Sequence, residues 1–369
     1  MPDFETRHLD AEILGFIKKY SQKPAPQESF RLLALKIFDY QCRKNSAYRK
    51  FCLLAGKDPK NVSDWKEVPA MPAVGFKELA LSTFPICRAV KTFKTSGTTQ
   101  GDRGSHYFDT LSLAEAAIVP AFQKYLMPDS GKFSFFFLMA SPQEAPSSSL
   151  SYMMGVVNKR FADSRGKFYV RHDKINCDAL AADLERVGRQ KKVIILSTAF
   201  SLKAFLDYLE AKKKVLRLKD GSRLMETGGF KGRVSEVSKT RLYQDCEKRL
   251  GIKKGFCVSE YGMTELSSQF YDNTLRNRGV KSKHWSFKEG PAWIKTLVID
   301  PASGKEARKG ARGLLRHFDL ANRGSVLAVQ TEDLGRAVDG GFELIGRARG
   351  SELRGCSLNY EDLIRTVNT

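Results

Sequence analysis

The chain has no Cys-x-x-Cys pair. Its seven cysteines, Cys42, Cys52, Cys87, Cys177, Cys246, Cys257 and Cys356, stand singly and are odd in number. A disulfide framework or a cysteine-based zinc site needs paired thiols, so the pattern argues against both and for a reducing, cytoplasmic setting. The five histidines fall in no metal-ligand spacing. No apolar run is long enough to cross a bilayer. The opening Met1-Pro2-Asp3-Phe4-Glu5 is acidic and lacks the apolar stretch of a secretory signal. No internal repeat is present. Acidic residues are scarce, with 41 Asp and Glu against 62 Lys and Arg, a formal net charge of +21 over 369 residues. The surplus favours anionic partners: nucleotide, phosphate, an acyl carrier, nucleic acid or, peripherally, a membrane surface. It is scattered along the chain. The densest cluster, Lys212-Lys213-Lys214 with Arg217 and Lys219, reads as a helix end and not as a specific nucleic-acid footprint.

Hydrophobic residues make up 42% of the chain, enough for a large core. Ile13, Phe16 and Ile17, then Leu33, Ile37 and Tyr40, recur at helical spacing between Asp10 and Ala55. Pro24 and Pro26 break this stretch into two expected helices. Phe133–Met139 is nearly unbroken apolar sequence, as in a strand covered on both faces. Phe168–Val170, Val193–Leu196 and Phe256–Val258 are further expected strands. Leu180–Val187, Ala204–Leu209 and Val234–Leu250 between them read as helices. The alternation predicts βαβ units and an α/β fold with a large, mostly parallel sheet flanked by helices. After Trp293 the pattern changes to short strands at Leu297–Ile299, Gly313–Phe318, Ser325–Gln330 and Phe342–Ile345, separated by Gly and Asp turns. We therefore expect an α/β core with a helical lead-in over 1–290, a smaller β-rich subdomain over 291–346 and a short, truncated C-terminal segment over 347–369.

Two distant segments carry chemistry. Thr95-Ser96-Gly97-Thr98-Thr99-Gln100-Gly101 follows an expected strand, Ala89–Phe93. Such a run cannot pack a core, but it can turn tightly and aim N–H groups and hydroxyls at an anion. It lacks the Gly-Lys-Ser/Thr ending of a Walker A loop. The second segment, Tyr261-Gly262-Met263-Thr264-Glu265, offers a ring for stacking, a hydroxyl for phosphate and a carboxylate suited to Mg²⁺. Together they read as a site for ATP and Mg²⁺. The alternatives are a surface turn for the first and a helix start for the second, with Thr264 capping and Glu265 favoured by the dipole.

The pair resembles the adenylate-forming superfamily of acyl- and aryl-CoA ligases, adenylation domains and luciferases. Three further matches follow in order. Thr227-Gly228-Gly229 resembles the turn that lies against adenine. Thr331-Glu332-Asp333-Leu334-Gly335 resembles the segment whose Asp holds the ribose hydroxyls. Gly346-Arg347 resembles the opening of the hinge. Glu226-Thr227-Gly228-Gly229-Phe230-Lys231-Gly232-Arg233 and the short length are most similar to the acyl-protein synthetases, which include the synthetase of the bacterial luminescence fatty-acid reductase.

This resemblance implies activation of a carboxylic, fatty-type acid as an acyl-adenylate. It also implies transfer to a protein thiol and a reductase or carrier protein as acceptor partner. It assigns cofactor contacts to Thr95, Ser96, Gly97, Thr98, Thr99, Gly101, Gly228, Gly229, Tyr261, Gly262, Asp333 and Arg347, and catalysis to Thr264 and Glu265, with Glu265 on the metal. Where the superfamily has a lysine after the loop, Asp102-Arg103 stand, so Arg103 is the candidate cation. Cys356, with Arg349 and Arg354 near it, matches the family's acyl-accepting cysteine. Superfamily ligases continue into a further domain with a catalytic lysine that has no counterpart here.

Alternatives stay open at this stage: a turn role for Asp333, a surface ion pair for Arg347 and a structural thiol for Cys356. His106 is either a substrate contact or a solvated loop residue. Leu150–Met154 is either acyl-pocket helix or core. The rival functions are ligation of a small acid to CoA or a carrier, and non-catalytic binding of nucleic acid or membrane.

Overall fold

Asparagine, not proline, makes one of the decisive breaks near the start of the chain. The computed structural model describes residues 3–95, 103–129, 131–162, 166–228, 238–277 and 287–348. Helices α1 (Phe4–Tyr20), α2 (Gln27–Lys44) and α3 (Ser46–Leu54) come first. The sequence pattern anticipates two helices here, split at Pro24 and Pro26. The further break is Asn45, which is extended at φ −109° and ψ 99° and whose side chain accepts the Tyr48 N–H. One residue thus ends α2 and caps α3. Next come β1 (Met71–Pro72), the single-turn helix α4 (Gly75–Glu78), β2 (Lys91–Lys94) and β3 (Ser105–Phe108). Strands β2 and β3 pair antiparallel, with Phe93 opposite His106. Helix α5 (Ser112–Leu126) follows.

Residue contacts divide the chain into two compact units. One comprises Met1–Pro120, Met263–Gln269 and Phe287–Thr369, the other Ala121–Gly262 and Phe270–Ser286. They are discontinuous in sequence, whereas the sequence reading divides the chain into three consecutive segments.

The second unit has the expected strand–helix alternation. Its elements are β4 (Ser134–Ala140), α6 (Ser149–Phe161), β5 (Lys167–Arg171), β6 (Lys174–Ile175), α7 (Cys177–Gly188), β7 (Val193–Thr198), α8 (Ala199–Ala211), β8 (Arg223–Thr227), α9 (Lys239–Leu250), β9 (Cys257–Tyr261) and β10 (Phe270–Asp272). Their order is β10-β9-β8-β7-β4-β5-β6. The β4–β5, β4–β7, β7–β8 and β8–β9 pairs are parallel; β5–β6 and β9–β10 are antiparallel. Strand residues such as Phe136, Val193, Ile195 and Leu224 pack with Leu180 and Leu184 of α7, Leu202 and Phe205 of α8, and Leu242 of α9. Apolar run and buried central strand therefore coincide, as parallel strands require.

In the first unit, β11 (Lys288–Glu289), β12 (Ile294–Ile299), β13 (Arg312–Asp319), β14 (Ala328–Val338) and β15 (Gly341–Arg347) lie in the order β12-β13-β14-β15-β11. All these pairs are antiparallel, and β1 adds parallel to β14. Among the described residues, no helix is long and apolar enough to cross a membrane.

Arg323 ties this unit together. Its side chain is 1% exposed. Nε and Nη2 donate to Asp10 of α1 at 2.7 and 3.0 Å, while Nη1 and Nη2 donate to Asp109, just after β3, at 3.0 Å each. Removing one partner of a buried ion network strands the others without compensation. Arg323→Ala is expected to lower unfolding free energy by about 3–5 kcal/mol in urea titration. An unchanged midpoint would show that the cluster is replaceable by water.

Candidate active site

The first unit holds the neck of the Ser/Thr/Gly loop. Strands β2 and β3 bring its ends together: the Thr95 N–H donates to the Gly104 carbonyl, and the Gly104 N–H to Thr95 Oγ1, both at 2.9 Å. A Cβ on Gly104 would lie 3.1 Å from the Phe76 carbonyl oxygen, so the neck has little room for any other residue. Thr95 thus spends its hydroxyl on closing the neck, and Arg103 is exposed beside it. Ser96, Gly97, Thr98, Thr99 and Gly101 lie outside the described residues, as do Gly229 and Cys356.

His106 departs from both sequence expectations, the substrate contact and the solvated loop. It sits within β3, is 1% exposed, and packs between Phe76 and Phe108, with ring centroids 5.5 and 4.3 Å away. Its Nδ1 is 2.8 Å from the Thr264 carbonyl oxygen. A carbonyl only accepts, so Nδ1 carries the proton. Burial pushes the imidazole pKa down to about 4, so the ring is neutral.

Thr264 and Glu265 lie in a turn with no helix after it, which removes the helix-start alternative. The Leu266 N–H closes on the Met263 carbonyl at 3.2 Å. Buried backbone without regular structure must find its hydrogen-bond partners elsewhere. Here they come from the last residue of β13 and the residues just beyond it. Asp319 accepts the N–H groups of Ser267 and Ser268 at 3.0 and 2.9 Å and the Ser268 hydroxyl at 2.8 Å. Asn322 Nδ2 donates to the Glu265 carbonyl at 2.8 Å, and its Oδ1 accepts the Ser267 hydroxyl at 2.7 Å. Burial pushes the Asp319 carboxyl up to about 6 against these donors. Sequence reasoning passed over Asp319-Leu320-Ala321-Asn322-Arg323. The available signal was Asp, Asn and Arg gathered within five residues at the end of an apolar strand.

Asp333 is a correction to the sequence reading. It lies inside β14, neither after a strand nor in a turn, because β14 runs on to Val338. It stands opposite Arg347 of β15, whose Nε is 3.4 Å from its carboxylate. The Arg347 side chain is 75% exposed. The two candidates are therefore adjacent, as an ion pair on neighbouring strands.

In the second unit, Tyr261 and Gly262 end β9 and follow it. Tyr261 is buried, 5.9 Å from the Phe270 ring. Thr227 ends β8 and donates to Glu260. Gly228 has φ +75°, which favours glycine, and a Cβ there would meet nothing within 4 Å. Glu226, which opens the Glu-Thr-Gly-Gly segment, is buried. It accepts the Tyr243 hydroxyl at 3.0 Å and lies 3.4 Å from Lys239 Nζ, which also reaches Ser259 at 2.6 Å. Met153 and Met154 are buried in α6. Cys257, the alternative thiol nearest the Tyr261–Glu265 motif, is buried with its pKa pushed up, which makes it a poor nucleophile. The chain passes from this unit to the other between Gly262 and Met263, inside the motif.

Residues 9–364 match the acyl-protein synthetase, LuxE family. The chain belongs to that family. Comparison with curated proteins finds no match. Among solved structures, the chain is similar to a 2-hydroxyisobutyryl-CoA ligase in its postadenylation state with 2-HIB-AMP, at 15% identity and a TM-score of 0.67, covering 88% of this chain and 68% of that one. It is also similar to ATP-bound MatB from Rhodopseudomonas palustris, at 14% identity and a TM-score of 0.50, covering 73% of this chain and 50% of that one. The chain thus spans about half of MatB and about two thirds of the other ligase. At these identities the likeness bears on fold, and it agrees with the α/β architecture expected from the sequence.

In this member of the acyl-protein synthetase family, Glu265 is the residue to test for a metal. Burial pushes its carboxyl up to about 7, opposed by its own N–H and the positive charges of Arg347 and Lys77 and reinforced by Asp333. Among the described residues, no group of three or more His, Cys, Asp or Glu could hold an ion by itself. One buried carboxylate fits Mg²⁺ that arrives on a polyphosphate, since Mg²⁺ keeps waters and phosphate oxygens beside one or two carboxylates.

A carboxyl raised from 4.5 to about 7 on folding stabilises the fold fully below 4.5 and ceases to do so as pH rises through 7. Glu265→Gln lacks this dependence. Relative to wild type, its unfolding free energy is expected to rise by up to about 3 kcal/mol from pH 4.5 to 8 in metal-free urea titrations. Parallel profiles would show that Glu265 is solvated in the folded state.

Proposed function

We propose that the chain uses ATP to activate a carboxylic acid, of long-chain fatty type, and passes the acyl group to a protein thiol. The observation that carries the reading is the Met263–Ser268 turn, whose Thr264 and Glu265 belong to the same unit as Asp333, Arg347 and the neck of the Ser/Thr/Gly loop. Membership of the acyl-protein synthetase family supports it.

A substrate carboxylate oxygen attacks the α-phosphorus of ATP. The bond from that phosphorus to the α,β-bridging oxygen breaks, and pyrophosphate leaves. The reaction needs in-line positioning and neutralised charge more than covalent help. Thr264 donates its hydroxyl to the α-phosphate. Glu265 holds Mg²⁺, which when bound offsets phosphate charge. Asp333 takes the ribose hydroxyls, with Arg347 beside it. Ser96, Thr98, Thr99 and the loop glycines hold the outer phosphates, and Arg103 adds a positive charge. Gly228, Gly229, Tyr261 and Gly262 line adenine. A Cys356 thiolate then attacks the acyl carbon, the acyl–phosphate bond breaks and AMP leaves. A reductase or carrier protein takes the acyl group onward. Likeness to a CoA ligase favours a second reading, in which CoA is the acceptor and the acid is small.

Pyrophosphate release across a panel of carboxylic acids, with and without CoA, separates the two. Release with long-chain acids and no CoA supports the first reading; release only with small acids and CoA supports the second. Glu265→Gln is expected to cut release about 100-fold or more while remaining folded; full release by the variant excludes the metal role. Cys356→Ser should release pyrophosphate in the first turnover yet form no hydroxylamine-sensitive acyl label. Persistent labelling rules Cys356 out.

A further inference from the structure

We propose that His106 is a positioning residue that locks the Thr264–Glu265 turn to the strand closing the phosphate loop. The proposal builds on the ATP-dependent reading above by adding a residue that it does not use.

Strand β3 is held to two different features within three residues. At Gly104, just before the strand begins, the chain closes the loop through paired hydrogen bonds with Thr95. At His106 it donates to the Thr264 carbonyl at 2.8 Å. Two residues of strand span about 7 Å, so the end of the loop and the turn share one short, stiff segment. Pairing of Phe93 with His106 and of Lys94 with Ser105 holds that segment to β2.

The imidazole has little freedom to swing away. Phe76 meets it edge-on at 5.5 Å, and Phe108 lies 4.3 Å from its centroid. Phe76 also backs Gly104 through its carbonyl. One aromatic residue therefore supports both the loop neck and the ring that reaches the turn. A purely apolar core residue would fill this space without a donor. What histidine adds is an N–H directed at the backbone of the residue proposed to touch the α-phosphate. Its effect on the reaction is then exerted through Thr264 and Glu265, whose placement sets the geometry for in-line attack.

Three substitutions test this. Asparagine places an N–H donor where Nδ1 lies; glutamine places one where Nε2 lies; alanine has none. Pyrophosphate release should show kcat lowered about 10- to 100-fold in His106→Gln and His106→Ala, with a smaller change in KM for ATP. His106→Asn should stay within about threefold of wild type. Hydrogen exchange read in parallel does not depend on activity. The Met263–Leu266 amides should exchange about tenfold faster in the Gln and Ala variants than in Asn or wild type, while α1 and β12 stay unchanged. Equal behaviour of Asn and Gln in both measurements overturns the positioning role, as does activity lost only in proportion to unfolded protein. Should the Gln and Ala variants fail to fold, Asn decides: wild-type kcat and exchange support the role, and a tenfold loss of kcat overturns it. Wild type that releases no pyrophosphate with any acid, yet shows the expected exchange pattern, refutes the proposed function and leaves the positioning intact.

Discussion

A single buried carboxylate, Asp319, holds the turn that carries Thr264 and Glu265. The segment after Gly262 leaves β9 and crosses buried territory without forming a helix or strand until β10. Its N–H groups need acceptors inside the protein, and Asp319 takes those of Ser267 and Ser268 together with the Ser268 hydroxyl. The Trp293 indole N–H then donates to the same hydroxyl at 3.1 Å. Burial makes the ionised carboxyl costly, and its pKa of about 6 reflects that cost against the donors that favour the charge. Such a site is sensitive to substitution, because an apolar replacement would strand several buried donors.

The neighbours of Asp319 extend the same logic. Asn322 holds the Glu265 carbonyl, and Arg323 gathers Asp10 and Asp109. The five residues from Asp319, which ends β13, to Arg323 thus connect α1, the residue after β3 and the Thr264–Glu265 turn. Thr264 is held through its carbonyl by His106, and Glu265 through its carbonyl by Asn322. Consecutive carbonyls of the turn thus accept hydrogen bonds from two buried side chains.

Much of the fold was legible in the sequence because its signals are periodic. The apolar run from Phe133 to Met139 and the alternation up to Val258 could hardly form anything but buried parallel strands. The β-rich stretch after Trp293 was equally plain. Asn45 escaped because one capping residue in an otherwise helical pattern carries no periodicity. Asp333 was misplaced since β14 continues through a polar stretch, Thr331-Glu332-Asp333, that reads locally as a turn; pairing with β15 overrides that preference. The structural roles of His106 and Asp319 left no mark in the sequence for a different reason. Their roles depend on partners 158 and about 50 residues away, and no local pattern encodes such contacts. The Ser/Thr/Gly loop and the Tyr-Gly-Met-Thr-Glu segment stand out in the sequence as short runs of particular residue types, whereas the buried side chains that hold the turn are scattered along the chain.

The central claim is that this chain makes an acyl-adenylate. The most direct test is mass spectrometry of the small molecules bound to the purified chain after brief incubation with ATP, Mg²⁺ and a mixture of carboxylic acids from short to long. The account predicts an acyl-AMP species at the mass of one of the acids, most abundant for a long chain and absent when ATP is replaced by AMP. ATP recovered intact, or hydrolysed to ADP and phosphate with no AMP conjugate of any acid, would contradict it.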